Sequence, residues 1–250
     1  MKNLIRRFCA ALFATLLRLR SRRYAFPECA ALIVAPHADD ETLGCGGLIA
    51  AKRQRKQAVH VLFVTDSGAS HRGHPLLTPG QIVKTRRAEA IAALAVLGVP
   101  ADHVSFFDVP DGTLNQLTPT VLAALAEQLA AHIRELGATE IFTPYREDGS
   151  SEHTVVHGVT AAACRKCGLP TLLEYPVWAW WNSFRLRPRL ARSNENFRLE
   201  LGDFRALKQR ALGCHRSQTN PLPPATEAAL PPILARLCCG STEFFFQRSI

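Results

Sequence analysis

Short apolar runs alternate with longer segments of helical periodicity over residues 30–175 of this 250-residue chain. The runs are rich in Val, Ile, Leu and Phe, which is typical of strands buried on both faces of a sheet. They lie at residues 30–35, 59–65, 104–107, 140–143 and 171–175, and helical patterns lie between them at 42–55, 81–97, 119–136 and 153–167. This alternation predicts an α/β fold, a Rossmann-like three-layer α/β/α arrangement with a mostly parallel sheet and helices on both faces.

The pattern changes after Pro176, where aromatic and arginine-rich segments precede a further helical pattern near residues 204–212. No long structureless insert or internal repeat divides the chain. We therefore expect one domain over residues 26–250, with a small C-terminal lobe appended to the sheet.

Residues 1–25 form a separate basic and apolar segment. Its uncharged run, residues 8–17, is flanked by Arg6, Arg7 and Arg18. The run is shorter than the roughly 20 residues of a spanning helix, and arginines follow it where a signal peptide has small residues at its cleavage site. One apolar stripe can form along a helix from Leu4, Phe8, Ala11, Leu12 and Leu16. The pattern favours an amphipathic helix on an anionic membrane surface, and it leaves open a helix packed on protein or a cleaved signal.

Composition restricts the partners only broadly. The hydrophobic share of 47% suits a globular core, and the net charge of +9 favours acidic partners such as anionic lipid, a phosphorylated glycan or nucleic acid. Nucleic acid is not expected, because no RNA-binding signature or zinc-finger spacing is present. The eight scattered cysteines do not resemble a disulfide scaffold. Part of the positive charge is concentrated outside the predicted core, at Arg6, Arg7, Arg18, Arg20, Arg22 and Arg23.

The most informative motif is Pro-His-Ala-Asp-Asp-Glu at residues 36–41, directly after the first predicted strand. Open α/β sheets bind their ligands at the carboxyl ends of their strands, which is where His37, Asp39 and Asp40 are expected. Imidazole nitrogen and carboxylate oxygen are zinc ligands, and a second carboxylate can act as a base on water. The motif therefore predicts a metal site rather than a simple helix cap, which needs only one Asp.

A hydrolytic zinc site needs about three protein ligands. His37 and Asp40 are close enough in sequence to reach one ion from a tight turn, so the third ligand should come from another strand end. His153 is favoured because it follows the fourth predicted strand, and His157, one helical turn later, is the competitor. Other acidic residues that follow predicted strands and should converge on the same edge are Asp66, Asp111 and Asp148.

Several further motifs occur in a characteristic order. They are Leu-Gly-Cys-Gly-Gly at 43–47, Thr-Asp-Ser-Gly at 65–68, Arg-Arg-Ala-Glu at 86–89, Pro-Asp-Gly at 110–112, and a closing set of Lys208, Ala211, His215, Ser217 and Gln218. Together with residues 36–41, these motifs resemble the PIG-L (LmbE-like) zinc de-N-acetylases over about residues 30–220.

The resemblance implies an enzyme that removes the N-acetyl group from an N-acetylglucosamine-type sugar with Zn²⁺ as cofactor. His37, Asp40 and His153 would be the metal ligands, Asp39 the general base, and Arg86 a substrate-binding residue. The arginines and the apolar N-terminal run favour a lipid-linked or surface-glycan substrate and a cytoplasmic enzyme at the inner face of a membrane. The sequence does not predict the oligomeric state.

The chain departs from the family pattern at two positions. Ala38 replaces the usual Pro, and Ser150 stands where many members have a His that assists at the metal site. Either His215 or another group then stabilises the oxyanion, or activity is reduced or altered. We expect Asp111 and Trp178 to contact substrate, although core packing suits Trp178 at least as well. The alternatives are an amidase acting on another acyl amide and a non-catalytic glycan-binding protein.

Overall fold

A computed structural model describes residues 2–250, so residue 1 of the predicted N-terminal segment lies outside the described residues. The elements follow one another as α1 (Lys2–Leu19), β1 (Arg22–Arg23), β2 (Ala31–Ala35), α2 (Asp40–Gln54), β3 (Val59–Thr65), α3 (Pro79–Val96), β4 (Val104–Val109), α4 (Pro119–Leu136), β5 (Glu140–Pro144), α5 (Ser151–Lys166), β6 (Thr171–Tyr175), α6 (Arg187–Leu190), β7 (Asn196–Glu200), α7 (Phe204–Leu212), α8 (Arg216–Thr219), α9 (Pro232–Cys238) and β8 (Thr242–Ser249).

Within residues 2–250 the strands form one eight-stranded sheet in the order β1-β7-β8-β6-β5-β2-β3-β4. Every neighbouring pair is parallel except the two pairs that contain β8. The prediction of a mostly parallel α/β sheet is confirmed. The carboxyl ends of β2, β3, β4 and β5 therefore lie along one edge, as the placement of the acidic motifs requires.

Two apolar clusters cover the two faces of the sheet. Alternate residues of β2 point to opposite sides, so that Ile33 packs in one cluster and Val34 in the other. Helices α4 and α5 cover the Val34 side, whereas α1, α2, α3, α7 and α9 contribute to the Ile33 side. The result is the expected three-layer α/β/α arrangement.

The C-terminal part of the chain extends the sheet and does not form the predicted appended lobe. Strand β8 lies between β6 and β7 and pairs antiparallel with both. Its Phe244, Phe245 and Phe246 are all buried. Three consecutive buried aromatic residues need apolar contacts on both faces, and a strand inside the sheet satisfies that need where a small lobe would not.

Helix α1 packs on the body of the protein through one side only. Ala10, Phe13 and Leu17 are buried, and the Phe13 ring lies 5.6 Å from that of Phe184. The opposite side carries the stripe expected from the sequence, including Leu4, which is 70% exposed. A helix that is apolar almost all round can pack on protein with one side and still expose apolar side chains on the other. No helix among the described residues is both long and apolar enough to cross a membrane.

Gly44 allows α2 to pack closely against β6, and this contact gives a testable stability prediction. A Cβ at Gly44 would lie 2.2 Å from Tyr175 Cδ2, and the buried Tyr175 is held by a 2.9 Å hydrogen bond from its hydroxyl to the Val34 carbonyl. We expect Gly44→Ala to lower the free energy of unfolding by roughly 1–3 kcal/mol, measured by urea denaturation. Gly158→Ala in α5 is the matched control, because its added Cβ meets no atom within 4 Å, and it should stabilise by up to ~1 kcal/mol. Equal effects of the two variants would contradict the packing argument.

Candidate metal centre and active site

Three side chains from two neighbouring strand ends form the centre of the site. His37 follows β2, Asp40 opens α2, and His153 lies in the first turn of α5 after β5. Asp40 Oδ2 is 3.2 Å from His37 Nδ1 and 3.2 Å from His153 Nε2. One ligand atom from each residue lies within 4.8 Å of the others, which is compatible with a shared ion.

The bonding state of His153 supports a metal at this point. Its Nε2 atom is buried and makes no hydrogen bond, although Asp40 Oδ2 is only 3.2 Å away. The nearest acidic group to this nitrogen thus belongs to Asp40, another proposed ligand, so both atoms can face one ion. Two imidazole nitrogens and one carboxylate oxygen suit Zn²⁺ and leave a coordination position for water. The residues therefore fit the ion that the sequence motif implies.

Carboxylates hold the far side of His37. Its Nε2 atom is 2.9 Å from Glu152 Oε2 and 3.2 Å from Asp111 Oδ1. The other Glu152 oxygen accepts the backbone N–H groups of Gly112 and Leu114 at 3.0 and 3.1 Å. Such carboxylates orient a metal-binding imidazole and select its tautomer. The structure thus places Asp111 against His37, a proposed metal ligand, and the expected contact of Asp111 with substrate stays a prediction.

Asp148 orients the imidazole of His153 in the same way. Its Oδ2 is 2.8 Å from His153 Nδ1, and its two oxygens accept the backbone N–H groups of Val177, Trp178 and Ala179 at 2.8–2.9 Å. This fully buried carboxylate therefore connects His153, a proposed metal ligand, to the segment that follows β6. The half-buried Trp178 ring packs against the core, and its stacking on a sugar stays a prediction.

The pKa values reflect this dense packing of charges. Burial alone would lower the pKa of His153, but the Asp40 carboxylate, helped by Asp148, raises it to about 9. Burial would raise the pKa of Asp111, but the His37 imidazole lowers it to about 2. His37 shows the same balance: burial lowers its pKa, and the hydrogen bonds to its carboxylate partners raise it well above its ordinary value. A metal ion at this point would compete with protons for the same imidazoles, so its binding would release protons.

Asp39 lies beside this group but is held separately. Its φ angle of 147° is unusual for a residue with a side chain, and its backbone N–H donates to Glu41 Oε2 at 2.9 Å. Strained backbone of this kind clusters at functional sites. Burial raises the pKa of the Asp39 carboxyl to about 6, even though the Arg86 guanidinium opposes the shift. A carboxylate with this pKa is ionised at neutral pH and suits general-base catalysis.

Arg86 and His215 both lie on the Asp39 side of the site. Arg86 is 3% exposed, donates to the Ala38 carbonyl oxygen and comes within 3.4 Å of Asp39 Oδ2. His215 is fully buried, and its Nε2 is 3.3 Å from Glu41 Oε1. Glu41 thus links His215 to the backbone of Asp39. Arg86 faces the expected base, so its predicted contact with substrate, like the oxyanion role of His215, stays a prediction.

His157 and Ser150 lie outside the group formed by His37, Asp40 and His153. His157, the alternative ligand, pairs with Glu174 at 2.8 Å and lies outside the group formed with His37. Ser150 accepts the His153 backbone N–H at 3.4 Å and so caps α5. Glu152 was not predicted as a site residue, although it directly precedes His153 and carries a ligand-type side chain.

The carboxylates behind His37 lead to a prediction about metal affinity. Glu152→Gln and Asp111→Asn should each raise the metal dissociation constant roughly 10–100-fold, because each removes a negative charge that orients the imidazole. Competition with a chromogenic chelator would measure the change. Glu147→Gln, an exposed carboxylate in the neighbouring loop, is the control and should leave the affinity unchanged. Wild-type affinity in both site variants would remove these carboxylates from the metal centre.

Comparisons with known proteins give matches over part of the chain. Residues 32–164 match the sequence profile of the PIG-L family, described as GlcNAc-PI de-N-acetylase. The 2'-N-acetylparomamine deacetylase of Streptomyces fradiae is 28% identical over 151 residues, which are 56% of this chain and 54% of that protein. The chain therefore spans only about half the length of this relative.

Solved structures share the fold at low identity. The crystal structure of the A40926 pseudoaglycone deacetylase Dbv21 is 22% identical with a TM-score of 0.65, covering 89% of this chain and 98% of that one. GalB, the 4-carboxy-2-hydroxymuconate hydratase from Pseudomonas putida KT2440, is 18% identical with a TM-score of 0.62, covering 89% and 96%. These likenesses establish the fold alone, since one scaffold carries both a deacetylase and a hydratase.

Proposed function

This chain belongs to the PIG-L family of de-N-acetylases, and on that premise we propose that it is a Zn²⁺-dependent hydrolase that removes an N-acetyl group from an amino sugar. The observation that carries the proposal is the division of labour between two adjacent carboxylates. Asp40 lies between His37 and His153, whereas Asp39 is turned away and pairs with Arg86.

His37, Asp40 and His153 would hold the ion, which when bound polarises an amide carbonyl and acidifies water. Asp39 accepts a proton from the attacking water as the carbon–oxygen bond forms. The tetrahedral carbon then expels the nitrogen, and Asp39 returns the proton to it, so that acetate and a free amine leave. His215, whose buried Nδ1 atom has no partner among the described residues, is our candidate for stabilising the oxyanion.

The proposed substrate is an N-acetylglucosamine-type sugar that is lipid-linked or part of a surface glycan. The family is described as GlcNAc-PI de-N-acetylase, and the relative from Streptomyces fradiae is a 2'-N-acetylparomamine deacetylase. Both names support an N-acetylated amino sugar as the substrate. The net charge of +9 supports an anionic carrier. Arg86, Asp111 and Trp178 remain the proposed contacts with substrate.

We place the enzyme in the cytoplasm, at the inner face of an anionic membrane. The outward apolar stripe of α1 supports this location. The arginine cluster supports it less than the sequence alone indicated, because several members contact the body of the protein. Arg6 stacks over Trp181 at 3.9 Å, and Arg18 pairs with Glu200 at 2.9 Å.

Two alternatives remain for the same scaffold. An amidase acting on a different acyl amide would use the same metal ligands and the same base. A non-catalytic glycan-binding protein is favoured only by Ser150, and a protein that had lost catalysis would not be expected to keep Asp39 with a tuned pKa.

The deciding experiment combines metal analysis of the purified protein with acetate release from a panel of N-acetylglucosaminides and other acyl amides. We expect about one zinc per chain, and acetate release that chelation abolishes and added zinc restores. Turnover confined to non-sugar amides would favour the amidase. Glycan binding that is unchanged in Asp39→Asn, with no acetate from any substrate, would favour the non-catalytic protein.

A further inference from the structure

An apolar groove of about 670 Å³ runs between α1 and α9, outside the metal centre. Its size lies within the roughly 300–1,000 Å³ typical of small-molecule sites. Both walls and the floor contribute apolar side chains, chiefly Phe8 and Ala11 from α1, Ile233 and Leu237 from α9, and Trp180 and Phe244 beneath them. We call this feature the α1–α9 groove.

Unpaired positive charges lie at the rim of the α1–α9 groove. Arg7 and Arg236 line it, are exposed, and have no acidic partner within 4.0 Å among residues 2–250. Arg18 also lines it but is paired with Glu200. An apolar slot with free guanidinium groups at its mouth matches a ligand that has an apolar body and an anionic head.

The groove opens onto an unusually apolar surface. Among residues 2–250, eight large apolar side chains are strongly exposed. Six of them lie on α1 or against it: Leu4, Ile5, Phe8, Leu12, Leu19 and Phe184. Soluble monomers rarely expose a large contiguous apolar patch unless it binds something. Leu4 and Phe8 belong to both the patch and the groove, so the two are continuous.

From these observations we infer that the α1–α9 groove binds an acyl chain of an anionic lipid, with the lipid's negative group at Arg7 and Arg236. The apolar patch around the mouth would rest on the bilayer from which the chain is drawn. All groove residues lie outside residues 32–164, so membership of the family does not imply this site. The inference sharpens the proposed membrane location and does not depend on the deacetylase reaction.

The groove is also connected to the catalytic edge. Trp180 lines the groove, and the backbone N–H of its neighbour Ala179 donates to Asp148 at 2.8 Å. Asp148 in turn holds His153. A lipid in the groove would therefore contact Trp180, the residue next to the segment that Asp148 holds.

The test uses the full chain and a single-chain anionic probe, cis-parinaric acid, whose fluorescence rises in apolar surroundings. Its methyl ester is the uncharged control ligand. Ala11→Trp should fill the groove, and the double variant Arg7→Glu with Arg236→Glu should remove its charge. The matched controls are Ala124→Trp on α4 and the double variant Arg134→Glu with Arg165→Glu on α4 and α5. These three residues are exposed and lie on the opposite face of the sheet. Vesicle sedimentation with and without phosphatidylserine is measured in parallel.

We expect both groove variants to weaken binding of the acid about tenfold or more, with the controls and the thermal midpoints unchanged. The ester should bind weakly to every protein. Absence of acid binding by the wild-type protein would overturn the inference. The inference would also be overturned if the groove variants bound vesicles and the acid as well as the wild type does. In that case the protein would contact the membrane only through the apolar patch. Neither outcome bears on acetate release, so the inference and the proposed function can fail separately.

Discussion

Asp39→Asn should lower the rate of acetate release by roughly 10²–10⁴-fold while the protein keeps its metal. Asn preserves the size of the side chain and tolerates unusual φ angles better than most residues, so the strained backbone at this position should survive. The variant loses the carboxylate that we propose accepts the proton of the attacking water. The measurement is the rate of acetate release at saturating zinc, together with the zinc content of the variant.

Asp102→Asn supplies the control for this prediction, because it makes the same substitution at an exposed position with no ion pair among the described residues. Its activity should equal that of the wild type. If Asp39→Asn retained more than about a tenth of wild-type turnover, Asp39 would not be the general base. If it lost its zinc, the division of roles between Asp39 and Asp40 would be wrong.

His153→Ala should abolish stoichiometric zinc binding and, with it, turnover. Among the described residues, His153 is one of three groups that converge on the proposed ion, and a hydrolytic zinc site needs about three protein ligands. The loss should appear as a zinc content well below one ion per chain after dialysis, and as a fall in acetate release of at least ~10²-fold.

His157→Ala makes the comparison sharp, because the two histidines lie one turn apart on α5. His157 pairs with the buried Glu174, so its removal should lower stability by roughly 1–3 kcal/mol yet leave the zinc content unchanged. The opposite pattern, zinc kept in His153→Ala and lost in His157→Ala, would reassign the third ligand. Circular dichroism of both variants separates loss of metal from loss of fold.

Much of the architecture follows from local pattern. Buried parallel strands are short apolar runs, and helices between them carry their own periodicity, so β2 to β6 and the helices between them were predictable. The position of β8 was not. An antiparallel strand at the C-terminus can pair with either edge of a sheet, insert within it or form a lobe, and only contacts over long sequence distances choose among these arrangements.

The two faces of α1 show the same limit. Its sequence is apolar almost all round, so periodicity identifies a stripe without saying which side meets protein. Packing against α9 and the Trp178–Leu186 region buries Phe13 and Leu17 and turns Leu4 and Leu12 outward. The helix therefore packs on protein through one side and exposes an apolar stripe on the other, and its contact with a membrane stays a proposal.

The sequence by itself determined which residues lie at the carboxyl edge of the sheet, because residues 36–41 follow a buried strand and must emerge there. It therefore identified His37, Asp39 and Asp40 as neighbours.

Tertiary structure alone decided which groups balance the charges of these residues. Glu152 and Asp111 reach His37 from other strand ends, Asp148 reaches His153 across the loop, and Glu41 bridges to His215. Hydrogen-bond partners depend on distances of a few tenths of an ångström between segments far apart in sequence, and only the assembled sheet sets those distances.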